Sequence, residues 1–313
     1  MSINVTTSAN GTALNELLTP MVLGARTLEK GLMRMVLSQQ DKVALSRFTT
    51  ALNKLEAPVD TPLVANDSMT KDEVTITLGD QMWYDTWNPI RDFEEDWSYF
   101  YSTGQLTEAQ VAPQIRTAIQ QTVVESVTNN LENLIWNGDT ASGDVWLQRM
   151  DGLVKIIAAN ADVIDVTNIG VVTKANIIEI LDAIILATPD AVIESANPKL
   201  IMSYKDKQIY DSVLRDAGIS KGVNIQDSPV SYYGGFEIVS CGIPKDNILF
   251  TVASTGKDSN LVGATWMDAD FRGVKIAKLQ ENSELWFAKV LFKFGVNIVF
   301  GGECVSYVGV VIP

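Results

Sequence analysis

The chain of 313 residues contains no histidine and only two cysteines. Without imidazole it lacks the usual general base of serine and cysteine hydrolases and the commonest nitrogen ligand of zinc. Two cysteines are too few for a disulfide framework, and both Cys241 and Cys304 lie in apolar, strand-like runs. We therefore expect reduced thiols buried in a core, and we expect no histidine-dependent enzyme.

Basic residues are scarce as well, since 24 lysines and arginines face 38 aspartates and glutamates and give a net charge of −14. No basic cluster interrupts this excess, so the sequence does not predict a surface that binds nucleic acid tightly. No glycine-rich nucleotide motif occurs, and we expect no cofactor.

Signals for export or membrane insertion are also missing. The N-terminus has neither the basic nor the apolar region of a signal peptide. The apolar stretch 294–313 contains four glycines, a glutamate and many β-branched residues, which favours sheet over a membrane helix. We expect no membrane partner.

Charge is unevenly distributed along the chain. Residues 1–56 carry a net charge of +2, whereas residues 57–104 carry −8. In the first block, apolar residues at three- and four-residue spacing between Leu28 and Val36 predict a helical arm over 14–55. The basic residues on another face of this arm are candidates for contacts with a neighbouring chain: Arg26, Lys30 and Arg34.

The acidic block has the pattern of a projecting hairpin. Val74, Ile76 and Leu78 alternate with polar residues before Gly79-Asp80, but a dense apolar complement is absent. We therefore predict an extended loop that contacts another chain through aromatic and acidic residues. The candidates for these contacts are Trp83, Trp87, Asp92, Glu94, Glu95, Asp96 and Trp97.

A long helix and a long strand frame the remaining sequence. The helix is predicted over 111–137, with Pro113 in its first turns and Asn137-Gly138 at its end. From 285 to 300 apolar and polar positions alternate, which predicts one strand that completes a sheet begun far upstream.

Between these elements the pattern is that of an α+β unit. An amphipathic helix follows Thr173, and a second helix is predicted over 205–217. Short strands are predicted over 198–203, 236–239, 248–252 and 263–267.

The order of these elements resembles the major capsid protein of tailed bacteriophages, the Hong Kong 97-like fold. The matching features are the arm, the acidic loop, the long helix ending in Trp136-Asn137-Gly138-Asp139, and the Asp151-Gly152-Leu153 that follows. Residues 198–203, Ser228-Pro229-Val230, 242–250 and the closing strand with 302–307 continue the similarity. It covers nearly the whole chain, but it lies in arrangement rather than in one invariant motif.

The resemblance implies an α+β capsid fold with five parts. These are an N-terminal arm (1–56), an extended loop (57–105), a peripheral domain with a long spine helix (106–170), an axial domain (171–270) and a C-terminal strand that returns to the peripheral domain (271–313).

The resemblance also implies a structural, non-enzymatic function. Such subunits form hexamers and pentamers of an icosahedral shell that encloses double-stranded DNA. The chain would be assembled in the host cytoplasm and remain in the virion, with a portal and, in some cases, scaffolding or decoration proteins as further partners. The shortage of clustered lysine and arginine predicts that the shell encloses DNA without binding its phosphates tightly, and we expect no sequence-specific binding of DNA.

The two unlike charge blocks predict how neighbours are oriented. A basic arm and an acidic loop are complementary, and such complementarity sets register more than affinity. The alternative is that the acidic residues 92–96 form only a solvated face.

Patterns with a chemical interpretation are weak. The carboxylates of 92–96 offer a pair for glycoside hydrolysis, and Asp268-Ala269-Asp270 has the spacing of a metal-diphosphate motif. Acidic and hydroxyl residues over 139–144 (Asp139, Ser142, Asp144) are suited to a calcium loop, but the terminal glutamate is missing. Surface turns explain these patterns better.

Lys71 is a candidate for a covalent cross-link, because some relatives of the capsid family cross-link neighbouring subunits through a lysine and an asparagine. Lys71 is the only lysine in 57–104, and Asn282 or Asn297 would be its partner by position.

Two rival functions remain open beside the phage capsid protein. An encapsulin-type nanocompartment shell shares the fold and would recruit a protein cargo. An acid-dependent hydrolase using Asp92–Asp96 would act on saccharide as a soluble monomer. The sequence favours the phage capsid protein.

Overall fold

A computed structural model describes residues 25–38, 41–50, 69–92, 113–217, 231–266, 275–280 and 284–309. The helices in these ranges are α1 (Arg26–Glu29), α2 (Pro89–Asp92), α3 (Pro113–Asn137), α4 (Leu153–Ala159), α5 (Ile177–Ala187), α6 (Asp190–Ile193) and α7 (Tyr204–Asp216). None of these helices has the length and apolarity that a membrane span requires.

The strands in the same ranges form three sheets. They are β1 (Arg34–Ser38), β2 (Lys42–Thr50), β3 (Met69–Thr77), β4 (Gly79–Trp87), β5 (Ile164–Asp165), β6 (Pro198–Ser203), β7 (Ser231–Tyr233), β8 (Phe236–Cys241), β9 (Asn247–Val252), β10 (Leu261–Trp266), β11 (Lys275–Lys278), β12 (Trp286–Ile298) and β13 (Cys304–Val308).

Strand β12 organises a five-stranded sheet. Strands β10 and β11 pair with one edge of β12 and β4 pairs with the other, all antiparallel, while β1 adds to β10 in parallel. Even-numbered residues of β12, such as Val290 and Phe294, are fully buried. We call this the inner face, and we call the side that carries odd-numbered residues such as Lys289 and Leu291 the outer face. The alternation seen in the sequence assigns the two faces because strand side chains point to opposite sides in turn.

Helix α3 belongs to the same core as the inner face. Its residues Val123, Val127 and Leu131 are buried in one cluster with Val290 and Phe292. At about 1.5 Å per residue the helix is roughly 38 Å long. It ends where two glycines meet: a Cβ at Gly152 would lie 2.6 Å from the amide nitrogen of Gly138, and the Gly152 amide donates to the Gly138 carbonyl at 2.8 Å. Only glycine fits this close approach.

A second sheet has six strands in the order β5-β13-β9-β6-β8-β7. Helix α5 buries Ile177, Ile180 and Ile184 against it, and α7 begins at Ser203, whose Oγ accepts from the Asp206 amide at 3.1 Å. The two helices and this sheet share a second core.

Strands β2 and β3 form an antiparallel ribbon. Val43, Leu45 and Ile76 on one of its faces pack against Val262 and Ala264 of β10. These β10 residues pair with Asn297 and Gly295, so the base of the ribbon lies on the outer face of the five-stranded sheet. A Cβ at Gly295 would lie 2.4 Å from the Thr77 carbonyl oxygen. Glycine at this position therefore lets the ribbon approach the sheet.

Several predictions of elements are confirmed. The long helix, the helices that follow Thr173 and Ser203, and the strands at 198–203, 236–239, 248–252 and 285–300 all occur, with ends shifted by a few residues. Both cysteines are free and buried, and burial raises the pKa of the Cys304 thiol to about 12.

The prediction of a helical arm over 14–55 is wrong for most of the residues that the structure describes there. Only Arg26–Glu29 is helical in the described part, and β1 and β2 occupy 34–38 and 42–50. Strand β1 pairs with β10 over five residues, and Val43, Leu45 and Arg47 alternate with exposed positions. Long-range pairing thus overrides the helical spacing.

The predicted pairing of strands in the acidic block, as one hairpin, is also wrong. Strand β3 pairs with β2, whereas β4 leaves the ribbon and joins β12. One further strand pairs elsewhere than the sequence predicts: β10, grouped with the α+β unit, joins the five-stranded sheet. The last strand, β13, which the sequence does not predict as a separate strand, joins the six-stranded one.

Candidate interaction surfaces

The carboxylates considered for catalysis and metal binding do not form a metal site in the ranges that the structure describes. No group of three or more histidine, cysteine, aspartate or glutamate side chains there is arranged to hold a metal. Asp92 is exposed and accepts a hydrogen bond from the Asn88 amide at 2.9 Å, which holds the pKa of its carboxyl below the usual range. Glu94, Glu95 and Asp96 lie outside the described residues, as do Asp268, Asp270 and Asn282.

The loop considered for calcium is contacted by the ammonium group of Lys155 on α4. Lys155 Nζ donates to Asp139 Oδ1 and to Asp151 Oδ1, each at 2.6 Å. The hydrogen bond from Lys155 holds the pKa of Asp139 low, and for Asp151 the bonds from Lys155 and Thr140 outweigh the opposing effect of burial. This ammonium group links both carboxylates and stabilises the loop after α3 internally.

The basic candidates of the arm have different environments. Arg26 is exposed and Arg34 is partly exposed. Lys30 Nζ donates to the Ser240 carbonyl and, at 3.2 Å, to Ser240 Oγ. Lys30 therefore anchors the arm to β8 of the same chain, which weakens the expectation that it pairs with a neighbour.

A buried network that the sequence does not predict fixes this part of the arm. Glu132 on α3 is 7% exposed and accepts from the Thr27 amide at 3.0 Å, from Thr27 Oγ1 at 2.8 Å and from the Gly242 amide at 2.7 Å. Trp136 Nε1 donates to Thr27 Oγ1 at 2.8 Å. One carboxylate thus joins the arm, the long helix and the turn after β8. The only sequence signal is a glutamate between apolar positions of α3.

The tryptophans proposed for contacts are half-buried in their own subunit. Trp83 Nε1 donates to Ser126 Oγ on α3 at 2.9 Å, and Trp87 lies opposite Trp286 in the sheet. Both pack against the main core, and Trp97 lies outside the described residues. Trp83 and Trp87 pack β4 against the core that contains α3, and part of each ring stays accessible.

The outer face of the five-stranded sheet is only half covered. The ribbon covers the half that contains Gly295 and Asn297, where Asn297 Nδ2 donates to the Thr75 carbonyl at 2.9 Å. The other half carries two exposed large hydrophobic side chains, Met82 at 58% and Tyr84 at 48%. With them lie Phe287, Leu291, Lys289 and Lys275. We call this set the open patch.

The ribbon itself carries apolar side chains on its far face. Phe48 is 64% and Met69 is 70% exposed, and their register places them on the same side, away from the sheet. Lys71, the cross-link candidate, lies opposite Phe48 and pairs with Glu73 at 3.6 Å. Isolated two-stranded ribbons are marginally stable in water, so the part beyond the sheet is suited to a partner surface.

A third accessible feature is a cleft between β4, α3 and the loop after α3. It contains the exposed Trp146 and Arg149, and the buried amide nitrogen of Gln81 faces no hydrogen-bond partner there. The cleft adds polar donors beside the half-buried Trp83.

Comparison by sequence gives no match, either to a protein-family model or to a curated protein. Comparison by structure gives many. A chain of the satellite phage P4 procapsid, solved with its size determination protein, is similar at a TM-score of 0.61 and 10% identity over 97% of this chain and 93% of that chain. The capsid of a native GTA particle is similar at a TM-score of 0.56 and 12% identity over 98% and 94%.

An encapsulin complex from Synechococcus elongatus is also similar, at a TM-score of 0.53 and 12% identity over 91% of this chain and 87% of that one. The chain therefore has the Hong Kong 97-like capsid fold, as the sequence predicts.

Proposed function

We propose that this chain is the major capsid protein of a tailed phage, a structural and non-enzymatic subunit that assembles into hexamers and pentamers of an icosahedral shell around double-stranded DNA. The observation that carries the proposal is the fold, which extends over nearly the whole length of this chain and of chains in phage capsids. Its place would be the virion, after assembly in the host cytoplasm.

The division into five parts is proposed in the same terms. The arm (1–56), the extended loop (57–105), the peripheral domain (106–170), the axial domain (171–270) and the returning C-terminal segment (271–313) supply different contacts. A portal and scaffolding or decoration proteins are proposed as further partners.

The exposed ribbon supports self-association. Phe48 and Met69 are mostly exposed on one face of the ribbon in the single subunit, and contiguous exposed apolar surface commonly marks interaction sites. The half-covered outer face supports it for the same reason.

An encapsulin-type shell is the second candidate, because an encapsulin has the same fold. The contents of the particle separate the two. We expect electron microscopy and sizing of the purified protein to give closed shells or rings of five and six subunits. Double-stranded DNA in particles from the natural source would support the phage capsid, and a packaged protein would support the nanocompartment. A uniform monomer across salt and pH in the presence of scaffold candidates would contradict both.

A further inference from the structure

The open patch is an apolar surface with an unusual charge arrangement. Lys275 of β11 and Lys289 of β12 are direct cross-strand partners, and Tyr84 of β4 is the next residue in the same row. Like charges placed directly opposite destabilise a sheet. Within the described ranges neither ammonium group has a carboxylate at ion-pair distance, and Lys275 Nζ has only the ring of Phe287 at 6.0 Å.

This arrangement contrasts with the covered half of the same face. There Lys293 pairs with Asp41 at 2.5 Å and with Asp80 at 3.2 Å, and its Nζ lies 4.1 Å from the Trp266 ring centroid. In a chain with a net charge of −14, two lysines that have no acidic partner among the described residues and lie on an aromatic surface indicate an anionic occupant that also brings apolar groups.

We propose that the open patch binds the acidic segment Asp92–Trp97 of a second copy of this chain. That sequence, Asp-Phe-Glu-Glu-Asp-Trp, has four carboxylates and two aromatic rings. The carboxylates would neutralise Lys275 and Lys289, and the rings would cover Tyr84 and Phe287. The proposal rests on the proposed self-assembly, and it replaces the arm by the sheet as the surface that receives the acidic segment.

A charge exchange tests whether the contact joins two copies. In K275E/K289E the surface repels the parent segment, and in E94K/E95K/D96K, which changes the segment from a net charge of −4 to +2, the segment repels the parent surface. We expect each variant alone to lose assembly on the order of tenfold, because a like-charge contact recurs at every interface. In an equal mixture each segment meets a complementary surface on the other variant, so assembly returns.

The matched control is K205E/K257E, which makes the same change of charge at two exposed lysines away from the patch. We expect it to assemble like the parent chain. An alternating mixture closes in rings of six but leaves one mismatched contact in rings of five, so we expect the rescued material to favour open sheets or tubes over closed shells.

Each other outcome overturns the proposal. Normal assembly of K275E/K289E would remove the patch from the interface. Two defective variants that a mixture does not rescue would show that segment and patch meet within one chain.

A binding measurement separates this inference from the proposed function. A synthetic peptide of residues 88–99 is titrated calorimetrically into the full chain, and we expect saturable binding that K275E/K289E abolishes and K205E/K257E keeps. Absence of binding overturns the inference even where the parent chain forms shells, and binding to a chain that forms none would count against the proposed function alone.

Discussion

Single residues fix the junctions of this fold. Glu132 joins the arm, the long helix and the turn after β8 by accepting three hydrogen bonds, and Lys155 joins both ends of the loop after α3. A buried carboxylate with three donors is well satisfied, whereas one with an oxygen left unpaired is costly. Asp206 is a buried carboxylate of the costly kind, with one oxygen unpaired among the described residues.

Asp206 makes the stability of the α5–α7 region depend on pH. It is fully buried; Oδ2 accepts from Ser203 Oγ at 2.7 Å and from the Asp246 amide at 3.0 Å, and Oδ1 has no hydrogen-bond partner among the residues that the structure describes. Burial, helped by the nearby Asp246 carboxylate, raises the pKa of Asp206 above its usual value, against the hydrogen bonds and Lys245. The contribution of this group to stability is therefore fully present below about pH 4 and is lost as the pH rises through the folded-state pKa.

We predict that Asp206→Asn becomes more stable relative to the parent chain as the pH rises from about 4 to 7, because the amide carries no charge to desolvate. Unfolding temperatures of both chains measured by calorimetry across this range check it. The control D162N removes an exposed charge and should follow the parent. Parallel curves for D206N and the parent would contradict the assignment.

The position of the β2–β3 ribbon depends on the contacts at its base. The ribbon is held at its base by Lys293, by the bond from Arg47 Nη1 to the Val299 carbonyl at 3.0 Å and by the apolar cluster with Val262. Hydrogen bonding to Asp41 raises the pKa of Lys293, with a further contribution from Asp80, so the clamp remains charged throughout the physiological range.

Lys293→Met tests the clamp while keeping apolar volume over Trp266. The partner carboxylates are exposed and can be hydrated, so we expect a smaller loss of stability than the removal of one partner from a fully buried pair causes. Hydrogen exchange should become faster in β2 and β3 and stay unchanged in β6, β8 and β9. K205M, at an exposed lysine, is the control, and equal acceleration in both sheets would contradict a local clamp.

The molecule as a whole leaves apolar surface uncovered on one side. The ribbon's far face and the open patch lie on or above the same outer face of the five-stranded sheet, whereas α3 closes the inner face. We expect neighbouring subunits of the proposed shell to cover the apolar surface on this outer side.

We predict that Phe48→Ser with Met69→Ser lowers assembly without lowering the unfolding temperature of the subunit. Both side chains are mostly exposed, so their removal loses little burial within the chain. Light scattering measures assembly and calorimetry measures unfolding. L186S removes a leucine that is 86% exposed beside the six-stranded sheet and serves as the control; the same loss of assembly in L186S would contradict a specific role for the ribbon.

The sequence by itself determined the long helix, the long strand with its two faces, the buried thiols and the order of elements that carries the capsid resemblance. These features depend on local periodicity and on residues such as Gly138, whose requirement is local. The residues of β12 alternate along one strand, so their inner face could be predicted without knowing any partner.

Only the tertiary structure decided which strands pair. Met35 and Val36 fit a helix until β10 is available beside them, and β4 fits a hairpin with β3 until β12 offers a longer edge, because pairing energy comes from residues more than 200 positions away. The network around Glu132 and the cross-strand pair Lys275–Lys289 could not be predicted from the sequence for the same reason. Each is made by residues from separate elements, and only the folded chain brings them together.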